Sequence, residues 1–147
     1  MSVEIHVEDV ALVNEIDEHF LTAWYEQVAE KEDKILGDVT LILTSDEYLL
    51  EMNKQYLNHD YFTDIITFDY TEGSVVSGDL FVSLDRVKDN ASTLSVDFKD
   101  ELHRVFIHGL LHLIGYKDKS EEDELLMRSK EDEMLNLRVF HVEHLKS

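Results

Sequence analysis

Two histidines four residues apart, His108 and His112, lie inside the apolar run LHRVFIHGLLHLIGYKD that spans Leu102 to Asp118. At helical period that spacing puts both imidazoles on one face, one turn apart. Gly115 comes three residues after His112, where a left-handed C-cap would end a helix and let Tyr116 turn back. Asp118 closes the turn, so the pattern reads His-x3-His-x2-Gly-x2-Asp. Two ligands on a rigid helix, a third brought in by chain reversal and a fourth position left open make the donor set of a catalytic zinc ion. The expected metal ligands are therefore His108, His112 and Asp118.

The spacing resembles the metal-binding helix of the extended zincins, where the third ligand also follows a glycine turn. In zincin peptidases a glutamate directly after the first histidine acts as general base. Here that position is Gly109, which argues against peptide hydrolysis. A pair of histidines alone would more often be structural, since partly buried, hydrogen-bonded histidines are common. The glycine turn and the carboxylate shift the balance towards metal.

Such a helix needs a scaffold, and the sequence supplies one. Val3 to Val7 alternates as a strand, and an amphipathic helix is expected from about Val10 to Glu30 through Val13, Ile16, Phe20, Trp24 and Val28. DVTLILT, Asp38 to Thr44, reads as a buried strand, and Thr44 with Glu47 forms a capping-box signature for a helix to about Tyr56. A polar loop over 58–63 carries His59 and Asp60. Asp64 to Tyr70 and Gly78 to Leu84 read as two strands of a hairpin, and Asp85 as the cap of a short helix over Arg86 to Ala91. The metal helix is expected over about Phe98 to Ile114, and Ser120 with Asp123 starts another helix to about Leu135. The tail from Leu137 fits either a strand or a helix end, with His141 and His144 solvated. The expectation is one α+β domain over residues 1–147, with a small, about four-stranded mixed sheet packed against helices.

Composition narrows the chemistry further. With no cysteine there is no thiolate ligand or nucleophile, so a transition metal must be held by His, Asp or Glu. No apolar stretch suits a bilayer and MSVEIHVEDV lacks a signal pattern, so no membrane partner and a cytoplasmic location are expected. Thirty-three acids against 13 bases give a formal net charge of -20. Such a field repels nucleic acid and favours basic partners. Much of the excess falls in Glu15 to Asp33 and Glu121 to Glu133, read as solvated helix faces.

Three blocks in order, NKQYLNHDYFTDIITF (Asn53 to Phe68), GDLFVS (Gly78 to Ser83) and HGLLHLIGYKD (His108 to Asp118), resemble the YbeY family of zinc-dependent endoribonucleases of ribosomal RNA maturation. The resemblance implies a zincin-like fold, one zinc ion, and ribosomal RNA in the small ribosomal subunit as substrate, approached through basic ribosomal proteins. It also implies a role in ribosome quality control. The family's third ligand is a histidine where this chain has Asp118, a harder and more anionic donor that other divalent ions also accept. The family's loop arginine aligns with Leu57, so its phosphate-stabilising role must be lost or filled by another cation. Arg104, one turn before His108, and Lys117, beside Asp118, are the candidates. Arg104 also has a plainer reading as a salt-bridge partner of Asp100 or Glu101. Thr63 and Asp64 are candidates for a cleft wall, and Asp79 for a cross-sheet hydrogen bond or for orienting a ligand imidazole. Two other functions compete: a metal-dependent hydrolase of another substrate, and a non-catalytic acidic adaptor of ribosome assembly.

Overall fold

The computed structural model describes residues 2–11 and 16–146, with side chains described through Arg138. Val13 and the side chains of His141 and His144 lie outside the described residues. The sheet is built on β2 (Ile35–Thr44), whose apolar run is buried on both faces as a central parallel strand requires. β1 (Val3–Val7) pairs with it in parallel, with Val3 opposite Val39. On its other side β4 (Val75–Ser83) is also parallel, with Leu41 opposite Leu80. β3 (Ile65–Asp69) closes the edge antiparallel to β4, with Ile66 opposite Phe81. The order is β1-β2-β4-β3, a mixed four-stranded sheet containing the expected hairpin.

Helix starts are set by short side chains at the ends of extended segments. α1 (Glu18–Lys31) begins where Asp17 Oδ1 accepts from the backbone N–H of His19 at 2.9 Å and of Phe20 at 3.2 Å. The apolar period had placed this start at Val10; instead Val10 and Ile16 pack against the core from non-helical chain. α2 (Asp46–Leu57) is capped by Ser45, not Thr44, which completes β2 and donates its hydroxyl to the Val82 carbonyl. α3 (Leu84–Leu94) is capped by Ser83, so β4 runs straight into it. Asp85 instead accepts from the Asp46 N–H at 3.0 Å. α4 (Phe98–Ile114) has the expected bounds. α5 (Glu121–Lys146) absorbs the tail as helix, and Ser120 Oγ accepts from the Asp123 N–H at its start. Among the described residues no helix is long and apolar enough to cross a membrane.

The helices are stitched together through polar tips of buried aromatics. Trp24 Nε1 donates to the Met134 carbonyl at 2.9 Å, and the Tyr25 hydroxyl donates to the Phe106 carbonyl. α1 thereby fixes α4 and α5 relative to each other. Above Trp24 and Phe20 lies His103, 3% exposed, with ring centroids 5.5 Å from each. Arg138 Nη1 donates to its Nδ1 at 2.8 Å, so that nitrogen must carry the lone pair and the ring is neutral. Burial first, then the charges of Arg138 and Lys99, push its pKa down from 6.5 to about 4.

This lowered value ties stability to pH. Between pH 6.5 and about 4 the unfolded chain binds a proton on this ring that the folded chain refuses, so stability falls as pH drops through that window. The full effect is roughly 3 kcal/mol. Urea unfolding at pH 7 and pH 5 is expected to show a smaller loss of stability in His103→Gln than in the parent chain. Equal losses would mean that His103 is not a buried neutral histidine.

Candidate metal centre

α4 turns Leu102, Phe106, Leu110 and Leu113 into the core and leaves His108 and His112 on its less buried face. It ends at Gly115, whose φ of 125° a side chain would resist. The Gly115 N–H returns to the Leu111 and His112 carbonyls, and the Tyr116 N–H to Leu111. The Tyr116 hydroxyl is hydrogen-bonded to Glu32 next to α1, which anchors the turn that delivers Asp118.

Three donor atoms converge there. His108 Nε2 and His112 Nε2 are 3.0 Å apart, and Asp118 Oδ2 lies 3.3 Å from His112 Nε2 and 3.4 Å from His108 Nε2. Donors about 2.0–2.1 Å from a tetrahedral ion stand about 3.3–3.4 Å from one another. The triangle therefore fits such an ion with little movement, and these residues could hold a metal. Asp118 is the most open of the three, its side chain 41% exposed, so a fourth position would face solvent.

Both imidazoles are held by their other nitrogen. His112 Nδ1 lies 3.0 Å from the Tyr116 carbonyl, which can only accept, so Nδ1 carries the proton and Nε2 the lone pair. His108 Nδ1 donates to Glu131 Oε2 at 2.7 Å. Glu131 is a buried residue of α5, 5% exposed. Its other oxygen accepts from Arg104 Nη1 at 2.8 Å, and Arg104 Nη2 reaches Asp132 at 2.7 Å. Burial opposes charge on this group, yet hydrogen bonds from His108 and Arg104 outweigh it and hold the Glu131 carboxyl below its usual range. Burial likewise works against charge on His108, and the Glu131 bond with the charges of Glu131, Asp118 and Asp64 raises its pKa nonetheless.

The expected roles separate accordingly. Arg104 pairs across to α5, with Glu131 and Asp132, and not with Asp100 or Glu101; Asp100 is taken by Arg138. Asp79 receives the Tyr70 hydroxyl at 3.3 Å, while the ligand imidazoles are oriented by Glu131 and the Tyr116 carbonyl. Lys117 is exposed, with no ion-pair partner among the described residues. Leu57 is exposed at the end of α2. Asp64, just before β3, has its pKa raised by burial against the opposing charge of His108. Glu131 was hidden in a stretch read as a solvated face. Its signal was its place on the buried stripe of Met127, Met134 and Leu135.

Gly109 is explained by packing. A Cβ there would lie 2.8 Å from Ile65 Cδ1 and Leu80 Cδ1, so α4 approaches β3 and β4 too closely for a larger residue. Gly109→Glu is expected to destabilise the protein by at least about 2 kcal/mol through overpacking and a buried carboxylate, and to create no peptidase activity. A melting temperature equal to the parent's would contradict this.

A mixed four-stranded sheet carrying a helix whose two histidines, with Asp118 after it, could hold a metal defines the class, a zincin-like α+β domain. Comparison with known proteins makes it particular. A sequence model of the family described as endoribonuclease YbeY matches residues 4–138. Endoribonuclease YbeY of Flavobacterium psychrophilum is 55% identical over 119 residues, covering 81% of this chain and 84% of the relative. That of Parabacteroides distasonis is 48% identical over 135 residues, covering 92% and 94%. The solution structure of TM1509 from Thermotoga maritima is similar with a TM-score of 0.69 at 26% identity, covering 97% of this chain and 92% of that one. The chain belongs to the endoribonuclease YbeY family.

Proposed function

We propose that residues 1–147 act as one domain, a metal-dependent endoribonuclease of ribosomal RNA maturation and ribosome quality control. It works in the cytoplasm on the small ribosomal subunit, with one zinc ion held by His108, His112 and Asp118. The observation that carries this reading is the convergence of two imidazole lone pairs and a carboxylate oxygen within 3.0 to 3.4 Å, each imidazole fixed from behind. Bound zinc would supply water activation and charge withdrawal from a phosphodiester oxygen. Asp118 makes the donor set anionic, which also admits other divalent ions.

The remaining roles belong to this chain's own groups. Glu131 and the Tyr116 carbonyl keep the Nδ1 protons in place and so keep both Nε2 atoms available. Arg104 is engaged with Glu131 and Asp132, so its contribution runs through Glu131 as a positioning residue. Of the two candidate cations, Lys117 is the one left to meet a phosphate. Lys117→Ala is expected to slow RNA cleavage about tenfold, the loss of one charge-assisted contact, with metal content unchanged. An unchanged rate would remove Lys117 from the reaction.

A net charge of -20 favours delivery by basic ribosomal proteins over direct capture of RNA. The test is cleavage of ribosomal RNA in small-subunit particles and of the same RNA stripped of protein. Chelator should abolish cleavage, zinc restore it, and the particle be cut faster. Turnover of small esters or amides without RNA cleavage would favour a hydrolase of another substrate. The acidic surface also supports the adaptor reading, and ribosome maturation restored by a variant lacking His112 would decide for it.

A further inference from the structure

Large exposed apolar side chains gather at the end of α2 and on the loop that follows it. Tyr56, Leu57, Tyr61 and Phe62 fall within residues 56–62 and are 62%, 43%, 56% and 49% exposed. A segment that only joined α2 to β3 would not need this, and clustered exposed apolar groups mark interaction sites. The loop is also held in shape. The His59 N–H returns to the Asn53 carbonyl at 3.0 Å, and Asn53 Nδ2 donates to the Tyr61 carbonyl at 2.9 Å. Asn53 is 2% exposed, so one buried residue pins both parts of the loop.

The rings are set out as flat faces. His59 and Tyr61 stack at 5.0 Å with 21° between their planes. Phe62 has the Arg86 guanidinium 5.2 Å from its ring centroid. The chain after the loop then meets the metal helix: Ile65 packs against Gly109, the residue that follows His108 on α4. From Ile65 the chain continues as β3, the sheet edge.

We propose that Tyr61 and Phe62, with His59 stacked on Tyr61, form a platform on which unpaired nucleobases of the substrate stack beside the phosphodiester to be cut. The proposal rests on the endoribonuclease reading and deepens it. Stacking on aromatic faces is open to every base and needs no charge. That matters here, because a chain of net charge -20 gains little from phosphate contacts. A rigid aromatic loop also loses little entropy on binding. Continuity with the metal helix favours RNA as the occupant over a protein segment, because Ile65, which ends this stretch, packs against the residue next to His108.

The test compares the zinc-loaded parent chain with Tyr61→Leu, Phe62→Leu and their combination on a short single-stranded RNA. Each single change is expected to raise KM about tenfold, with kcat within about twofold, and Phe62→Tyr to restore it. Zinc content should stay the same. Ile35→Ala, an exposed apolar residue at the opposite end of the sheet, should keep the parent KM. The KM penalty should vanish on RNA made abasic next to the cleaved bond. Binding is read independently with a fluorescent adenine analogue that is quenched on stacking. If the parent cleaves no RNA, the endoribonuclease reading fails, while quenching by the parent and not by the double variant would still establish the platform. If the parent cleaves and the variants match it in KM and quenching, the platform is overturned. Lost association with ribosomal particles at unchanged KM would overturn it too, and would assign the loop to a protein partner.

Discussion

His112→Ala and Asp118→Ala are each expected to take the purified protein from about one zinc per chain to almost none, and to abolish chelator-sensitive RNA cleavage. The reasoning is geometric. With one corner of the 3.0 to 3.4 Å triangle gone, two protein donors remain, too few for a site that keeps only one position open. Asp118→His separates donor identity from donor presence. It should keep about one zinc per chain and resist replacement by harder ions, since imidazole suits zinc better than magnesium or manganese. Elemental analysis of the four proteins decides the matter. Full zinc content in Asp118→Ala would show that the turn after Gly115 does not deliver a ligand.

What could be read from the sequence was local. The bounds of α4 follow from its apolar period and from Gly115, and the β3–β4 hairpin from two apolar runs around a turn. Helix starts were less legible because caps outrank periodicity. Asp17 opens α1 although apolar spacing continues back to Val10, and the serines at strand ends, Ser45 and Ser83, hold the caps given to Thr44 and Asp85. The sheet order, with β4 inserted between β2 and β3, depends on long-range pairing that no local pattern encodes. The same holds at the metal centre. The three donors sit within eleven residues of sequence, whereas Glu131 joins His108 across 23 residues. An acid among acids shows its burial only through its place on the stripe of Met127, Met134 and Leu135, and its partner only once that stripe is seen to face α4.

Glu131 therefore carries the second large expected effect. Glu131→Gln preserves shape but replaces one oxygen by a donor. If the amide oxygen serves Arg104, its NH2 faces His108 Nδ1, and the ring must accept there and place its proton on Nε2, where a metal needs a lone pair. If the oxygen serves His108, the NH2 meets the guanidinium of Arg104, donor against donor. Either arrangement weakens the site, and zinc affinity is expected to fall by about 10- to 100-fold. The metal-free protein should also lose about 2–4 kcal/mol, because Arg104 and His108 are left with half of a largely buried partner. Competition with a chromophoric chelator measures the first effect and urea unfolding the second. Glu124→Gln, on the exposed side of the first turn of α5, should change neither. Zinc affinity equal to the parent's in Glu131→Gln would mean that α5 does not orient His108. The buried carboxylate would then be structural, a tie between α4 and α5 alone.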